Sequence, residues 1–163
     1  MRIAVVTVSD RAARGEHEDL SGPMIEKILS LAYPEAEISR ETVPDELDAL
    51  REAFGRSVSA DWVITCGGTG PSARDLTPEA TRAWIDRELP GIAEALRAAS
   101  LRETPYAAFS RGIAGMRGAQ FVVNLPGSPA AARLGAELLA PLLGHGLAMA
   151  RGEGHGGGTV LLR

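Results

Sequence analysis

The chain has little of several features that mark particular protein classes. It contains one cysteine among 163 residues, so no internal disulfide can form and a reducing compartment is expected. The net charge is −4 and no cluster of lysine and arginine forms a basic stripe, which argues against a nucleic-acid partner. No apolar run is long enough to cross a bilayer, and the first residues lack the basic and apolar regions of a signal peptide. We therefore expect a cytoplasmic protein that acts on small molecules, with no nucleic acid and no membrane as partner.

Two common nucleotide-binding patterns are also missing. Lys27 is the only lysine, and no Gly-x-x-x-x-Gly-Lys-Ser/Thr sequence occurs, which excludes a P-loop nucleotidase. A Gly-x-Gly-x-x-Gly fingerprint followed by a ribose-binding acid is missing as well, which argues against a dinucleotide-binding Rossmann unit.

The length fits one compact domain in which short apolar strands alternate with helical patterns, and this rhythm predicts an α/β fold. We expect the domain to cover residues 1–151 and a glycine-rich tail to cover residues 152–163, with a possible terminal strand at 159–162. Strands are predicted at 2–8, 36–43, 62–65 and 119–124. Helices are predicted at 22–31, 45–58, 78–86, 91–101 and 129–150. Residues 107–111 are predicted to form an edge or antiparallel strand.

The most informative motif is a glycine-rich junction at residues 65–80. It follows the apolar, β-branched third strand, and its small residues let backbone N–H groups approach a ligand closely. The glycines are Gly67, Gly68 and Gly70. Thr77 is predicted as the N-cap of the next helix and Pro78 as its first residue. The free N–H groups and positive dipole end of that helix favour an anion such as phosphate.

Carboxylates accompany the same junction. Asp75 and Glu79 lie in or beside the loop, and Mg²⁺ usually takes one or two carboxylates together with phosphate oxygens. Arg74 could balance the charge. The glycines alone are equally typical of a strand-to-helix turn that binds nothing. The combination favours a site for magnesium and a phosphorylated ligand.

A second strand-to-helix junction near the end of the chain has the same pattern. After the last predicted strand, Leu125, Pro126 and Gly127 form a turn, and Ser128 and Pro129 are predicted as helix cap and first helical residue. Both junctions would open at the carboxyl edge of one parallel sheet, where open α/β folds bind ligands. Two anion sites would suit two phosphorylated groups, although Ser128 and Pro129 taken alone are typical of a plain helix start.

Two further loops would reach the same edge. Ser9, Asp10 and Arg11 follow the first strand, and Asp45 follows the second. Asp10 and Arg11 would meet a polar ligand, or they form only a surface ion pair. Asp45 is a candidate metal ligand, and its alternative role is that of an acid that stabilises a helix N-terminus.

Eight short motifs, in this order, carry a resemblance to a known family: Val8-Ser-Asp-Arg11, Ser21-Gly22-Pro23, Val43-Pro-Asp-Glu46, Gly67-Gly-Thr-Gly70, Arg74-Asp75-Leu-Thr-Pro-Glu-Ala80, Thr104-Pro105, Ser110-Arg111 and Asn124-Leu-Pro-Gly-Ser-Pro129. Over nearly its whole length the chain resembles the MogA/MoaB family of molybdenum cofactor biosynthesis proteins. It is similar in the same way to the corresponding domains of animal gephyrin and of its plant counterpart.

The resemblance implies a three-layer α/β/α domain with a mostly parallel central sheet, the MogA/MoaB-like molybdopterin-binding fold. It also implies molybdopterin adenylyltransferase activity, in which the terminal phosphate of molybdopterin attacks the α-phosphorus of ATP and pyrophosphate leaves. Magnesium, a homotrimer and a hand-over of product to a molybdenum-insertion protein are implied as well. An attacking phosphate is already ionised at neutral pH, so this chemistry needs no histidine base and depends on positioning and charge neutralisation.

By the same resemblance, Asp45 and Asp75 are the candidates for catalysis and for holding magnesium. The candidates for binding substrate and phosphate are Ser9, Asp10, Arg11, Gly67, Gly68, Thr69, Gly70, Arg74, Thr77, Pro78, Glu79, Ser110, Arg111, Asn124, Pro126, Gly127, Ser128 and Pro129.

A second function stays open at this point. Some MoaB-type relatives do not perform the reaction, and a chain of that type would hold molybdopterin or a partner protein without catalysis. The loops at residues 9–12 and 125–129 look like the MogA versions, which favours the enzyme.

Overall fold

A computed structural model describes residues 1–153 of the chain. The predicted tail strand at 159–162 lies outside the described residues, and the boundary between domain and tail stays a prediction. The strands are β1 (Arg2–Val8), β2 (Glu37–Val43), β3 (Trp62–Cys66), β4 (Arg87–Glu88), β5 (Ala114–Arg117) and β6 (Gln120–Leu125). The helices are α1 (Asp10–Ala13), α2 (Ser21–Ala32), α3 (Leu47–Arg56), α4 (Thr77–Trp84), α5 (Pro90–Glu103) and α6 (Pro129–Ala150), with a 3₁₀ helix at Pro105–Phe109.

The six strands form one sheet in the order β2-β1-β3-β6-β5-β4. The first four run parallel, whereas β5 is antiparallel to both of its neighbours. Helices cover both faces, which confirms the predicted three-layer α/β/α architecture with a mostly parallel sheet. None of the described helices has the length and apolarity that a membrane crossing needs.

The core has two halves because side chains alternate between the two faces of each strand. Along β3, Trp62 and Ile64 pack in the half that includes α2 and α6, while Val63 packs in the half that includes α3. Trp62 stacks on Phe121 of β6 with ring centroids 4.1 Å apart. Truncating such a fully buried aromatic side chain to alanine costs about 3–5 kcal/mol.

Helix α6 packs closely against β6. Gly135 makes this possible, because a methyl group at that position would lie 2.6 Å from the side chain of Leu125. The helix therefore lies directly against the last parallel strand, and its N-terminus stands at the carboxyl edge of the sheet.

The strand predicted at residues 107–111 was wrong. Thr104 accepts a hydrogen bond from the N–H of Tyr106 (3.3 Å), and Pro105 has a backbone angle suited to a helix start, so this segment forms the 3₁₀ helix. The antiparallel strand is β5, a few residues later. The two-residue strand β4 pairs with it and was not predicted.

Candidate active site

The loops predicted to meet at one edge of the sheet do so. The chain passes from β1 outward to β2 and then back to β3 on the other side of β1, so β1 and β3 flank the point where the strand order reverses. This is where open α/β folds bind ligands. Ser9 N–H donates to the carbonyl of Val43 (2.9 Å), and Gly67 N–H donates to the carbonyl of Leu125 (3.0 Å). These bonds hold the four strand ends side by side.

The turn after β3 depends on glycine at two positions. Gly67 and Gly68 have φ angles of 107° and 62°, in the left-handed region that other residues rarely adopt. A methyl group at Gly67 would also collide with the carbonyl oxygen of Val8. The turn therefore lies directly against the end of β1 with its backbone exposed to the loops around it.

Thr77 does not cap α4 as predicted. Its Oγ1 donates to the carbonyl of Gly67 (2.9 Å), and its N–H donates to the carbonyl of Gly68 (3.1 Å), while Leu76 occupies the cap position. Thr77 and Pro78 are both buried, so they brace the glycine turn from below.

Two carboxylates lie over the glycine turn, as predicted for Asp45 and Asp75. Oδ1 of Asp45 accepts a hydrogen bond from Leu76 N–H (3.0 Å), and its Oδ2 would lie 2.5 Å from a methyl group at Gly68. Oδ2 of Asp75 accepts from Ser72 N–H (2.9 Å) and would lie 2.9 Å from a methyl group at Gly70. The absent side chains of these glycines leave the space in which the carboxylates sit.

Asp45 carries an unfavourable charge. It is only 9 % exposed, and this burial raises the pKa of its carboxyl group, with Asp75 and Asp10 adding repulsion against the Leu76 hydrogen bond. A cation beside Asp45 would relieve both effects.

The donor set fits magnesium. Within residues 1–153 no group of three or more His, Cys, Asp or Glu side chains could hold a metal ion. Magnesium does not need one, because it is commonly bound by one or two carboxylates with substrate phosphates and water completing the shell. Asp45 and Asp75 would supply those carboxylates, each with one oxygen that accepts no hydrogen bond recorded among the described residues.

The predicted arginines make different contacts. Arg74 pairs with Asp10 across the loops, and this contact lowers the pKa of Asp10. Arg111 holds the glycine loop: its Nε donates to the carbonyl of Gly70 (2.7 Å) and its Nη2 to that of Asp75 (2.6 Å). Its ion pair with Glu79 lowers the pKa of that carboxyl group. The side chain of Arg11 is exposed, and no hydrogen bond to it is recorded within the described chain.

Asn124 is engaged by protein groups on every side. Its Nδ2 donates to the hydroxyl groups of Thr65 (3.0 Å) and Thr81 (2.8 Å), and its Oδ1 accepts from Ile113 N–H (3.2 Å). The side chain thus ties β3, α4 and the approach to β5 together. Its contacts are those of a residue that fixes the wall of the site.

Ser128 caps α6 as predicted, since its Oγ accepts from Ala131 N–H (3.4 Å). The turn before it is fixed by Ser21, which was not among the predicted site residues. Ser21 Oγ donates to the carbonyl of Gly127 (3.0 Å). Ser21 is itself positioned by Asp19, whose Oδ1 accepts from the N–H groups of Ser21 (3.0 Å) and Gly22 (2.9 Å).

Asp19 was therefore missed. Its Oδ2 accepts from Thr7 Oγ1 (2.7 Å), and a methyl group at Gly22 would lie 2.5 Å from that oxygen. An aspartate two positions before a Ser-Gly helix start is an ordinary N-terminal capping signal, and that signal could have identified it. The Thr7 hydroxyl also lies 3.5 Å from Sγ of Cys66, and burial raises the pKa of that thiol to about 11.

Two cavities flank the glycine loop. The acidic cavity, about 400 Å³, is lined among others by Ser9, Asp19, Asp45, Gly68, Asp75 and Gly127. The apolar cavity, about 420 Å³, is lined among others by Leu96, Arg97, Tyr106, Phe109, Asn124 and Ser128. Thr69 and Gly70 line both, so they form the wall between them.

Some of the remaining predicted residues line one of these cavities, and the others line neither. Gly67 and Pro129 line the acidic cavity, and Ser110 and Pro126 line the apolar one. The candidates that line neither cavity are Asp10, Arg11, Arg74, Thr77, Pro78, Glu79 and Arg111.

Residues 4–145 match the family model described as a probable molybdopterin binding domain. The family is one of molybdenum cofactor biosynthesis, and the match covers most of the chain. The chain belongs to this family.

The proteins similar to this chain include a molybdopterin adenylyltransferase and structures of both MogA and MoaB. A protein of Helicobacter pylori named molybdopterin adenylyltransferase is 40% identical over 148 residues, which are 88% of this chain and 84% of that protein. A solved structure of MoaB from Thermus thermophilus is 43% identical, with a TM-score of 0.82 over 93% of this chain and 96% of that one. A solved MogA structure is 38% identical, with a TM-score of 0.87 over 92% of this chain and 99% of that one. The recognised family and fold are therefore confirmed.

Proposed function

We propose that this protein is a molybdopterin adenylyltransferase of molybdenum cofactor biosynthesis and that its reaction requires Mg²⁺. One observation carries the proposal: Asp45 lies against Gly68 and Asp75 against Gly70, in the acidic cavity and beside the wall that separates it from the apolar cavity. A reaction that joins two substrates needs two adjoining compartments with the reacting groups at their boundary. The relatives named molybdopterin adenylyltransferase support the choice of substrates, which are molybdopterin and ATP.

In the proposed reaction an oxygen of the terminal phosphate of molybdopterin forms a bond to the α-phosphorus of ATP. The bond between that phosphorus and the oxygen bridging to the β-phosphorus breaks, and pyrophosphate takes the electron pair. A magnesium ion bound here would neutralise phosphate charge. The attacking oxygen is already anionic, so the residues of the site are needed for orientation and not for proton removal.

The role of each site residue follows from its contacts. Asp45 and Asp75 would bind the metal through the oxygens that Leu76 and Ser72 leave free. The turn before α6 and the N–H groups that follow Ser128 would orient phosphate oxygens. Arg111 would act indirectly, because its guanidinium fixes the loop carbonyls of Gly70 and Asp75.

A second function has one observation in its favour, which is the 43% identity to a structure named MoaB. Under this alternative the chain binds molybdopterin without turnover. The carboxylates of Asp45 and Asp75 favour the enzyme, because a pure binding site gains nothing from the unfavourable charge at Asp45.

The deciding experiment measures pyrophosphate and adenylylated pterin from purified protein, molybdopterin, ATP and Mg²⁺. Reactions without magnesium and with Asp75→Ala run alongside, and Asp48→Ala serves as the control because Asp48 is exposed on α3. The enzyme is supported if product forms only with magnesium, is lost in Asp75→Ala and is kept in Asp48→Ala. Molybdopterin binding without pyrophosphate release would replace it with the binding-protein alternative.

The proposal extends to setting and assembly. A cytoplasmic location agrees with the single cysteine, and a homotrimer that passes its product to a molybdenum-insertion protein agrees with the family resemblance. Light scattering after size exclusion measures the assembly, and a monomer in solution would remove the trimer from the proposal.

A further inference from the structure

Asp19 is held by more protein groups than the other two aspartates of the acidic cavity. Its Oδ1 accepts from the N–H groups of Ser21 (3.0 Å) and Gly22 (2.9 Å), and its Oδ2 accepts from the hydroxyl group of Thr7 (2.7 Å). Each of the other two aspartates has one oxygen that accepts no hydrogen bond recorded among residues 1–153. Both oxygens of Asp19 are engaged by the protein, which suits a residue that positions its neighbours better than one that binds a metal.

The first turn of α2 lies directly against the end of β1. Gly22 makes this approach possible, because a methyl group at that position would lie 2.5 Å from Oδ2 of Asp19 and 2.7 Å from Oγ1 of Thr7. Thr7 in turn lies beside Cys66, its register partner on β3, with 3.5 Å between Oγ1 and Sγ. The carboxylate of Asp19 is thus fixed beside the last row of strand residues before the glycine turn.

The same carboxylate reaches the second strand-to-helix turn through Ser21. The buried Oγ of Ser21 donates to the carbonyl of Gly127 (3.0 Å). Gly127 packs on the glycine turn, because a methyl group there would lie only 3.0 Å from the Cα atom of Gly67. The turn before α6 is therefore held between α2 on one side and the glycine turn on the other.

We propose that Asp19 is a positioning residue, which holds Ser21 against Gly127 and so sets the distance between the turn before α6 and the glycine turn after β3. This inference rests on the proposed function, in which the turn before α6 orients phosphate oxygens beside the carboxylates that lie over the glycine turn. Asp19 does not contact the reacting atoms itself. Its effect on phosphate binding passes through the hydroxyl group of Ser21 and the backbone of Gly127.

The test measures the Kd of inorganic pyrophosphate with Mg²⁺, together with kcat for the proposed reaction, in wild type and in Asp19→Ala. Pyrophosphate is the probe because it consists of phosphate groups alone. Loss of the carboxylate lets Ser21 and the Gly127 turn move, so Kd should rise about 5- to 20-fold, while kcat at saturating substrate should change less than about twofold.

Two further variants separate positioning from a general loss of stability. Asp19→Asn keeps an oxygen that can accept from the N–H groups of Ser21 and Gly22, so it should bring Kd back to within about threefold of wild type. Asp86→Ala is the matched control, because Asp86 also accepts from a backbone N–H, that of Gly118 (2.8 Å), and lines neither cavity. It should leave Kd unchanged, and equal weakening in Asp19→Ala and Asp86→Ala would overturn the assignment.

A double-mutant cycle tests whether Asp19 acts through Ser21. Ser21→Ala alone should weaken pyrophosphate binding about 2- to 10-fold. The double variant should bind no more than about twofold more weakly than Asp19→Ala alone, because the shared path is already broken. Single effects that multiply in the double variant would overturn the assignment.

Gly127→Ala keeps the test decisive if Asp19→Ala does not fold. Its methyl group pushes the turn away from Gly67 without touching α2, so it should weaken pyrophosphate binding as Ser21→Ala does. Unchanged binding in both variants would show that the position of this turn does not control phosphate affinity, and the role of Asp19 would fall with it.

The two proposals fail separately. If the wild type binds pyrophosphate but makes no product, the enzyme proposal is wrong, and the Kd values still decide the role of Asp19. If the wild type makes product and Asp19→Ala binds pyrophosphate as tightly, only the role of Asp19 is wrong. A fall in kcat larger than the change in Kd would place Asp19 in the reacting centre and contradict a positioning role. A wild type that makes product but has no measurable affinity for pyrophosphate would remove the phosphate site on which the role of Asp19 depends.

Discussion

The two cavities on either side of Thr69 and Gly70 are similar in size but opposite in chemistry. One is lined by three aspartates that raise the cost of negative charge, and the other is apolar with one arginine. The acidic cavity suits a metal and phosphates, whereas the apolar cavity suits a ring. Under the proposed function, charge neutralisation and ring recognition would be separate tasks, performed on opposite faces of one loop.

The largest expected effect comes from removing a carboxylate of the acidic cavity. Asp75→Ala should lower kcat by about a hundredfold or more, because charge stabilisation at the reacting phosphates is lost. Molybdopterin binding should change little if the apolar cavity holds the pterin. Steady-state kinetics and direct binding measure the two quantities. A proportionate loss of turnover and pterin affinity would contradict the separation of tasks.

The next largest effect should come from the shared wall. In Gly70→Ala the new methyl group lies 2.9 Å from Oδ2 of Asp75, so the carboxylate or the loop must move. Displacement of a catalytic group by a fraction of an ångström should lower kcat about 10- to 100-fold. Gly55→Ala is the matched control, since it places a methyl group in open space on α3. Equal kinetics for both variants would show that the wall tolerates movement.

Substituting Asp45 should have a smaller effect, and it should raise the stability of the protein at pH 7. Its pKa is raised by burial, so the folded protein binds a proton more tightly than the unfolded chain, and wild-type stability should rise as pH falls through that pKa. Asp45→Asn removes the charge and can still accept from Leu76 N–H. Without magnesium, this variant should therefore melt at a higher temperature than wild type at pH 7.

The difference in melting temperature should begin to narrow as the pH falls through the raised pKa of Asp45, and it should close only at the ordinary pKa of an aspartate, 3.8. Thermal melts at several pH values in EDTA measure it, and Asp48→Asn on exposed α3 is the control. A lower melting temperature for Asp45→Asn at pH 7 would mean that its carboxylate is not under repulsion in the folded protein.

The smallest effect should come from Ser21→Ala, which removes the hydrogen bond to Gly127. One hydrogen bond of this kind contributes about 0.5–1.5 kcal/mol, or a few degrees in melting temperature for a chain of this size. The KM for one substrate should rise while kcat stays nearly constant. Ser30→Ala, an exposed serine on the same helix, is the comparison. A large fall in kcat would make Ser21 part of the reacting centre.

Local patterns in the sequence predicted the parts of the structure that depend on local physics. Apolar β-branched runs predicted β1, β3 and β6, and Ser128 with Pro129 predicted the start of α6. The meeting of four loops at one edge followed from parallel topology alone. The 3₁₀ helix was missed because a short alanine-rich segment has no clear period, and Thr104 decided its structure.

The contacts that shape the site could not be predicted in the same way. Asp45 meets the backbone of Leu76 across 31 positions of sequence, and Arg111 meets Asp75 across 36. Such pairs depend on how the sheet brings distant loops together. The sequence motifs therefore identified Arg111 and Asn124 as site candidates. They did not predict that both side chains would form hydrogen bonds with other parts of the protein.

The wall of Thr69 and Gly70 has a thermodynamic consequence. Arg111 N–H donates to the carbonyl of Thr69 (2.8 Å) and its guanidinium to that of Gly70, so Arg111 fixes both residues of the wall, which has a cavity on each side. If a ligand in one compartment changes the affinity of the other by some factor, the reverse effect must have the same factor. Under the proposed function, the wall is thus the element through which the binding of one substrate would change the affinity for the other.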